Sequence, residues 1–272
     1  MRAQVSNVAV AVFFAGLLLA GNTAAAETLR LGGTGSAIEM LRQVGAQFTA
    51  ATGVKIDVVF SLGSTGALRA LADGVLDIAV PARSLKADES AAGLRQVAVL
   101  RTAYVFAASH PKPNGLQVAD LSKIFAADKS TWADGTPIRI ILRPRSDTDT
   151  ALLGQLFAGM DKAIETARRR PEVPIAATDQ DNVDLAERTP GSLAGTTVTQ
   201  LTTEHRHLHV VPLDGVEPTL ANFESGAYPY AKRLYFIVHS NGTPDAQRFV
   251  DFLRSPQGVK ALRATETLPG AE

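Results

Sequence analysis

Residues 29–41 of the chain read LRLGGTGSAIEML. The first residues are typical of a short apolar strand, and the Gly-Thr-Gly-Ser turn that follows begins a helix. The first backbone N–H groups of a helix have no partner within the helix and carry a partial positive charge. The segment therefore predicts a β/α unit whose helix start can bind an anionic ligand.

Two later loops have the same design. SLGSTG at 61–66 and RPRSDTDT at 143–150 each follow an apolar strand and begin a helix with small hydroxyl residues. A Ser or Thr before a helix is commonly an N-cap worth about 1 kcal/mol and nothing more. In open α/β sheets, however, ligands bind where such loops converge beyond the carboxyl ends of the strands. Three equivalent loops favour one shared anion site, and TDQDN at 178–182, interpreted first as a helix cap, could also line it.

Strands and helices alternate along the chain. Val54–Phe60 and Leu76–Val80 are apolar strands separated by a helix, which predicts parallel β/α units with right-handed crossovers. Without the first 26 of its 272 residues the chain has 246, a length that two lobes of ordinary domain size fit better than one, although single domains of this size exist. At the C-terminal end, the pattern predicts one amphipathic helix over Pro244–Leu262 and a frayed tail from Thr265.

The N-terminus has the pattern of an export signal. Arg2 precedes an apolar run from Val8 to Ala20, and the small residues that follow end at Ala26. Such a run is shorter than the roughly 20 residues that a membrane-spanning helix needs. We therefore predict that residues 1–26 are a signal peptide cleaved near Ala26, and that the protein is periplasmic. No Cys is present there to carry a lipid, so the mature protein is expected to be freely soluble.

Composition excludes several classes of function. The chain has 27 basic and 27 acidic residues, so it has no electrostatic footprint for nucleic acid or an anionic membrane. It has no Cys, which excludes disulfides and zinc-thiolate sites. His205, His207 and His209 would share one face of a strand, but their charged neighbours favour a solvated edge. We predict no metal and no cofactor.

Known catalytic motifs are missing from the sequence. GGTGS at 32–36 is not a dinucleotide fingerprint, because Ile38 stands where Gly or Ala is needed. The chain has no G-x-S-x-G elbow, no H-E-x-x-H motif and no Cys nucleophile, and His110 has no legible partner. We expect a binding protein, not an enzyme. A periplasmic hydrolase stays the alternative, because a Ser-His-Asp site is recognised only in space.

The ordered set of motifs resembles the periplasmic solute-binding proteins of ABC transporters, in the phosphate-binding branch of their two-lobed type II class. The loops already quoted resemble that family's ligand loops. The remaining matches are PARSL at 81–85, TPGSLAG at 189–195, GVEPTLANFESGAYPYAKRLYFIV at 215–238 and FVDFLRSPQG at 249–258. The resemblance covers nearly all of the mature chain.

The resemblance implies an α/β fold of two lobes, each a mostly parallel sheet flanked by helices, joined by a two-crossing hinge. Residues 27–105 with 225–272 would form the first lobe, and residues 106–224 the second. It implies a monomer that captures a small phosphate-like oxyanion between the lobes and delivers it to an ABC permease in the inner membrane. A membrane sensor as the partner, or an organic acid as the ligand, are the alternatives.

The resemblance also implies a set of ligand-binding residues. Arg145 best matches the family's bidentate fork. Two departures stand out: Asp149 replaces a family Gly, and the family's proton-accepting Asp after the third strand is replaced near Arg83. Asp147 or Asp149 could accept the ligand's proton, but a carboxylate repels a fully ionised oxyanion. The full set is Thr34, Gly35, Ser36, Ser64, Thr65, Arg83, Arg143, Arg145, Ser146, Asp147, Thr148, Asp149 and Thr150.

Overall fold

The computed structural model describes residues 28–60 and 62–270, in which strands alternate with helices. The strands are β1 (Thr28–Gly33), β2 (Lys55–Val59), β3 (Ile78–Val80), β4 (Leu94–Ala108), β5 (Arg139–Ile140), β6 (Ser192–Thr197), β7 (His209–Val211), β8 (Ala231–His239) and β9 (Thr267–Pro269). The helices are α1 (Ile38–Thr52), α2 (Gly63–Ala72), α3 (Ala87–Ala91), α4 (Val118–Ala126), α5 (Thr148–Leu156), α6 (Met160–Ala167), α7 (Asp179–Arg188), α8 (Val198–Thr203), α9 (Leu220–Ser225), α10 (Pro244–Arg254) and α11 (Pro256–Ala264).

The first β/α unit forms for local reasons. β1 is apolar, and a 3-10 turn over Gly35–Ala37 leads directly into α1. One face of α1 is buried, with Leu41, Val44 and Phe48 fully covered. The helix ends at Gly53, whose φ of 78° is left-handed and suits a residue without a Cβ.

Two strands tie the sheets together. β1 pairs in parallel with β2 and β3, and β5 pairs in parallel with β6. Between these groups, β8 pairs antiparallel with both β3 and β4. β4 is long enough to serve both sheets, because Leu94–Ala103 pairs with β8 while Tyr104–Ala107 pairs with β6. The parallel β/α units therefore lie on either side of an antiparallel pair.

Two large hydrophobic clusters fill the molecule. One surrounds β1 and α1 and includes Leu31, Phe48 and Phe249. The other surrounds the second part of β4 and includes Phe106, Phe157 and Leu193. Each sheet thus buries its own apolar side chains under its own helices, and the predicted two-lobed α/β class is confirmed.

The C-terminal end differs from the prediction in two ways. The single helix predicted over Pro244–Leu262 is two helices, α10 and α11. Ser255 between them is extended, with φ −71° and ψ 158°, because the residue before a proline avoids the helical region. The described part of the tail, residues 265–270, is not frayed: β9 pairs with β4, and Thr267 is fully buried opposite Thr102.

Within the described residues, no helix is both long and apolar enough to cross a membrane. The predicted signal peptide, residues 1–26, lies outside the described residues.

Candidate functional site

A cleft of about 370 Å³ lies where four loops meet. Each loop leads into a helix, namely α1, α2, α5 or α7. The cleft therefore collects several helix starts, with their free N–H groups and partial positive charge. Its lining residues are Thr34, Gly35, Leu62, Gly63, Ser64, Thr65, Gly66, Arg143, Pro144, Ser146, Asp147, Thr148, Ala177, Thr178, Asp179 and Gln180.

Short hydrogen bonds hold these loops in shape. Thr34 donates its backbone N–H to the Val80 carbonyl of β3 over 3.0 Å. The Ser64 hydroxyl accepts from the backbone N–H of Ala82 over 2.9 Å. Asp147 caps α5, because its Oδ1 accepts from the backbone N–H of Asp149 over 2.9 Å. The α1 and α2 loops are thus tied to β3 and to the segment that follows it, and the α5 loop is held by its own helix cap.

Arg143 is the cation of the cleft. Its side chain is 6% exposed, and its Nη1 donates to the Ala176 carbonyl over 2.9 Å. Its Nη2 donates to Asp147 Oδ2 over 2.7 Å and lies 3.8 Å from Asp179 Oδ2. The Nε–H is buried and has no hydrogen-bond partner among the described residues, so the guanidinium does not use all of its donors within the protein.

The other two predicted arginines do not line the cleft. Arg145, the predicted fork, has a side chain that is 71% exposed and pairs with Glu165 of α6 at 2.7 Å. Arg83 pairs with Glu89 of α3 at 2.6 Å. In both cases a nearby carboxylate holds the guanidinium outside the cleft.

The Arg83–Glu89 pair gives a stability prediction. The hydrogen bond from Arg83 lowers the pKa of Glu89 to about 2. A carboxyl whose pKa is lower in the folded protein stabilises above its unfolded pKa, and that stabilisation is lost as the pH falls through the folded value. Glu89→Gln should therefore reduce the free energy of unfolding by about 1 kcal/mol at neutral pH, a figure discounted for partial exposure.

Urea unfolding of Glu89→Gln and the wild type, followed from neutral pH down to about pH 2, measures this difference. The two curves should converge at the acid end. A constant difference across that range, or none at neutral pH, would contradict a stabilising role for the Arg83–Glu89 pair.

Three further predicted residues lie behind the cleft or beside it. Asp149 is 2% exposed and does not reach the lining. The Thr150 hydroxyl donates to the Pro144 carbonyl over 2.9 Å, so it braces the loop. Ser36 is buried, and its Oγ has no hydrogen-bond partner among the described residues. The predicted residues that the structure does bring together are Thr34, Gly35, Ser64, Thr65, Arg143, Ser146, Asp147 and Thr148.

The fourth loop of the cleft, before α7, was predicted from the sequence mainly as a helix cap and only secondarily as part of a ligand site. Thr178 caps α7, and its hydroxyl accepts from the backbone N–H of Asp181 over 3.0 Å. This Thr-x-x-Asp capping box is a property of neighbouring residues, and it predicts the helix but no contact with a ligand. The structure also places Asp179 and Gln180 in the lining. A single parallel bridge between Leu142 and Ile175 precedes this helix. The order of extended segment, loop and helix start, shared with the other three loops, is the signal that could have identified them.

A second set of charges lies beneath the lining. Lys232 of β8 is fully buried, and its Nζ lies 2.5 Å from Asp149 Oδ1 and 3.6 Å from Asp179 Oδ1. Burial raises the pKa of Asp149 to about 6, against the opposing effect of Lys232. Burial also acts to raise the pKa of Asp179, but Lys232 and Arg143 outweigh it and hold that pKa below the usual value. Asp179 is therefore ionised in the cleft at neutral pH.

The α7 loop touches the α1 loop across the cleft. Gln180 Nε2 donates to the Gly35 carbonyl over 3.0 Å. A Cβ built on Gly35 would lie 2.7 Å from both Asp179 Oδ2 and Gln180 Oε1. The two sides of the cleft meet at this point, and the approach requires a residue without a side chain.

The sequence model of the PBP superfamily domain matches residues 20–257. None of the curated proteins matches the sequence significantly. A Clostridium perfringens protein assigned to a phosphate ABC transporter as its substrate-binding protein, solved with bound phosphate, is similar in structure. Its TM-score is 0.76 at 16% sequence identity, over 90% of this chain and 100% of that chain.

Two further solved structures are similar. An ABC-type phosphate transport receptor from Vibrio cholerae has a TM-score of 0.59 at 16% identity, over 88% of this chain and 99% of that chain. The periplasmic molybdate-binding protein of Azotobacter vinelandii has a TM-score of 0.57 at 13% identity, over 89% of this chain and 100% of that chain. At these identities the likenesses establish a shared fold.

Proposed function

This chain belongs to the PBP superfamily, and from that membership we propose that it captures a small oxyanion between its two lobes and presents it to an ABC permease. One observation carries the proposal: four helix starts and the buried Arg143 converge on a single cleft. Helix starts supply backbone N–H groups and about half a positive charge each, and a guanidinium adds charge-assisted hydrogen bonds.

The cleft favours an oxyanion that still carries a proton. Asp147 and Asp179 both line it, and an ionised carboxylate can only accept hydrogen bonds. A hydroxyl on the ligand can donate to such a carboxylate, whereas a fully ionised oxyanion is repelled by it. We therefore expect phosphate and chemically similar anions to bind more tightly than sulfate. The solved relatives support the oxyanion class and differ within it, since one holds phosphate and another is a molybdate-binding protein.

Closure of the cleft would link binding to transport. We propose that residues 27–105 with 225–272 form one lobe and residues 106–224 the other, with β4 as one of the two crossings. A ligand that contacts both Thr34 and Arg143 makes its full set of bonds only when the lobes are closed. Binding then shifts the population towards the closed form, which the permease recognises. We further propose that the exported protein acts in the periplasm as a monomer.

The family and fold are those of binding proteins, and the geometry of His110 gives the hydrolase alternative no support. Its Nε2 lies 3.0 Å from Asp134 Oδ2, and its Nδ1 accepts from the backbone N–H of Lys112 over 3.3 Å. Both ring nitrogens are therefore engaged, and neither is free to take a proton from a serine hydroxyl.

Thermal unfolding of the purified protein with phosphate, sulfate, molybdate and citrate tests the proposal. A ligand that binds only the folded state stabilises it by about 2.7 kcal/mol at a hundredfold excess over its Kd. We expect phosphate to raise the Tm by several degrees and sulfate to have a much smaller effect. Calorimetry then measures the affinity. No shift with any oxyanion, or turnover of a phosphate ester, would contradict the proposal.

A further inference from the structure

Lys232 is a buried cation that does not touch the cleft. It lies on β8, in register with Thr102 of β4 where these two strands run side by side. Its side chain is 1% exposed, and its Nζ reaches Asp149 at 2.5 Å and Asp179 at 3.6 Å. Because Asp179 lines the cleft and Asp149 does not, the ammonium lies one layer beneath the anion site.

A buried ammonium is expensive unless carboxylates pair with it. Here the surrounding groups form one connected cluster of two cations, Lys232 and Arg143, and three carboxylates, Asp147, Asp149 and Asp179. The phenol of Tyr104 is also buried against this cluster and is kept neutral, since burial and the nearby Asp149 raise its pKa. The cluster already carries one carboxylate more than it has cations. Without Lys232, three carboxylates would face Arg143 alone, and the pKa of Asp149 would rise further because Lys232 holds it down.

We propose that Lys232 is a positioning residue of the anion site, whose buried charge compensates Asp149 and Asp179 so that an anion can bind above them. The inference rests on the proposed function. Lys232 acts through the two carboxylates, since it holds Asp179 from below and offsets a charge that would otherwise repel the ligand. Because the cluster has more carboxylates than cations, the affinity for an anion depends on Lys232 even though the anion does not contact it.

Substitutions of Lys232 and of Asp149 should change the affinity for phosphate in opposite directions. Lys232→Met removes a positive charge beneath the cleft, and phosphate binding should weaken about tenfold near pH 8.5. Asp149→Asn is nearly isosteric and removes a negative charge at the same place, so phosphate binding should strengthen about fivefold at that pH.

Both effects should shrink near pH 5, because Asp149 is then protonated in the wild type and phosphate carries one charge fewer. Calorimetry with inorganic phosphate at both pH values measures the ratio of each variant's affinity to that of the wild type. Lys129→Met, at an exposed position, is the control and should match the wild type. Circular dichroism confirms that each variant is folded.

The outcomes separate the two proposals. A wild type that binds neither phosphate nor another oxyanion would contradict the proposed function, and this inference with it. A wild type that binds, with Asp149→Asn unchanged or weaker near pH 8.5, would overturn the role of Lys232 alone. The gain in affinity is decisive because a purely structural defect weakens binding. It also keeps the test valid if Lys232→Met does not fold.

Discussion

Replacement of Arg143 by methionine is expected to weaken phosphate binding about 100-fold. Arg143 is the cation in the lining of the cleft, and its Nε–H has no partner among the described residues. A charge-assisted hydrogen bond in a buried site is worth about 1.5–3 kcal/mol. The loss also leaves Asp147 without its 2.7 Å partner, which adds repulsion towards an anion. Together these terms reach about 3 kcal/mol, or roughly two factors of ten.

The matched control for this experiment lies two residues further along the chain. Arg145→Met removes the same charge from an exposed side chain that pairs with Glu165, so affinity should stay within about twofold of the wild type. Calorimetry of both variants, with circular dichroism to confirm folding, measures the contrast. Loss of binding in Arg145→Met with normal binding in Arg143→Met would restore Arg145 as the fork and contradict our assignment.

Gly35→Val is expected to hold the cleft open. A Cβ at this position would lie 2.7 Å from Asp179 Oδ2 and 2.9 Å from Asp179 Cβ, which is closer than atoms can approach without a shift. The variant keeps the N–H groups of the α1 loop but cannot bring the α7 loop against them. Apparent affinity falls in proportion to the population of the closed form, and we expect a loss of at least about tenfold.

Small-angle scattering with saturating phosphate distinguishes this effect from a local one. The wild type should become more compact when phosphate is added, whereas Gly35→Val should keep its larger radius of gyration. Ala50→Val adds bulk at an exposed position of α1 and should behave as the wild type. Equal affinity and equal compaction in Gly35→Val would show that the contact between Gly35 and Asp179 is not needed for closure.

Local sequence patterns predicted much of the fold and three of the four loops of the cleft. A helix start is recognised from its capping residues and from the apolar period that follows, and both are properties of neighbouring residues. The error at α10 and α11 was avoidable on the same grounds, because Pro256 restricts Ser255 whatever surrounds it. The error in the tail could not have been avoided from local patterns, because β9 is ordered by pairing with β4, a strand more than 150 residues earlier.

The amino-acid order alone determines the β/α alternation, the neutral charge and the helix starts that can hold an anion. Which arginine lines the cleft is decided in space: the Ala176 carbonyl orients Arg143, while Glu165 of α6 holds Arg145 outside. The same is true of Lys232, which in sequence is an ordinary lysine of a strand and in the fold is a buried counter-charge. The orientation of Arg143 and the burial of Lys232 depend on residues far apart along the chain, because burial and ion pairing arise only when separate elements pack together.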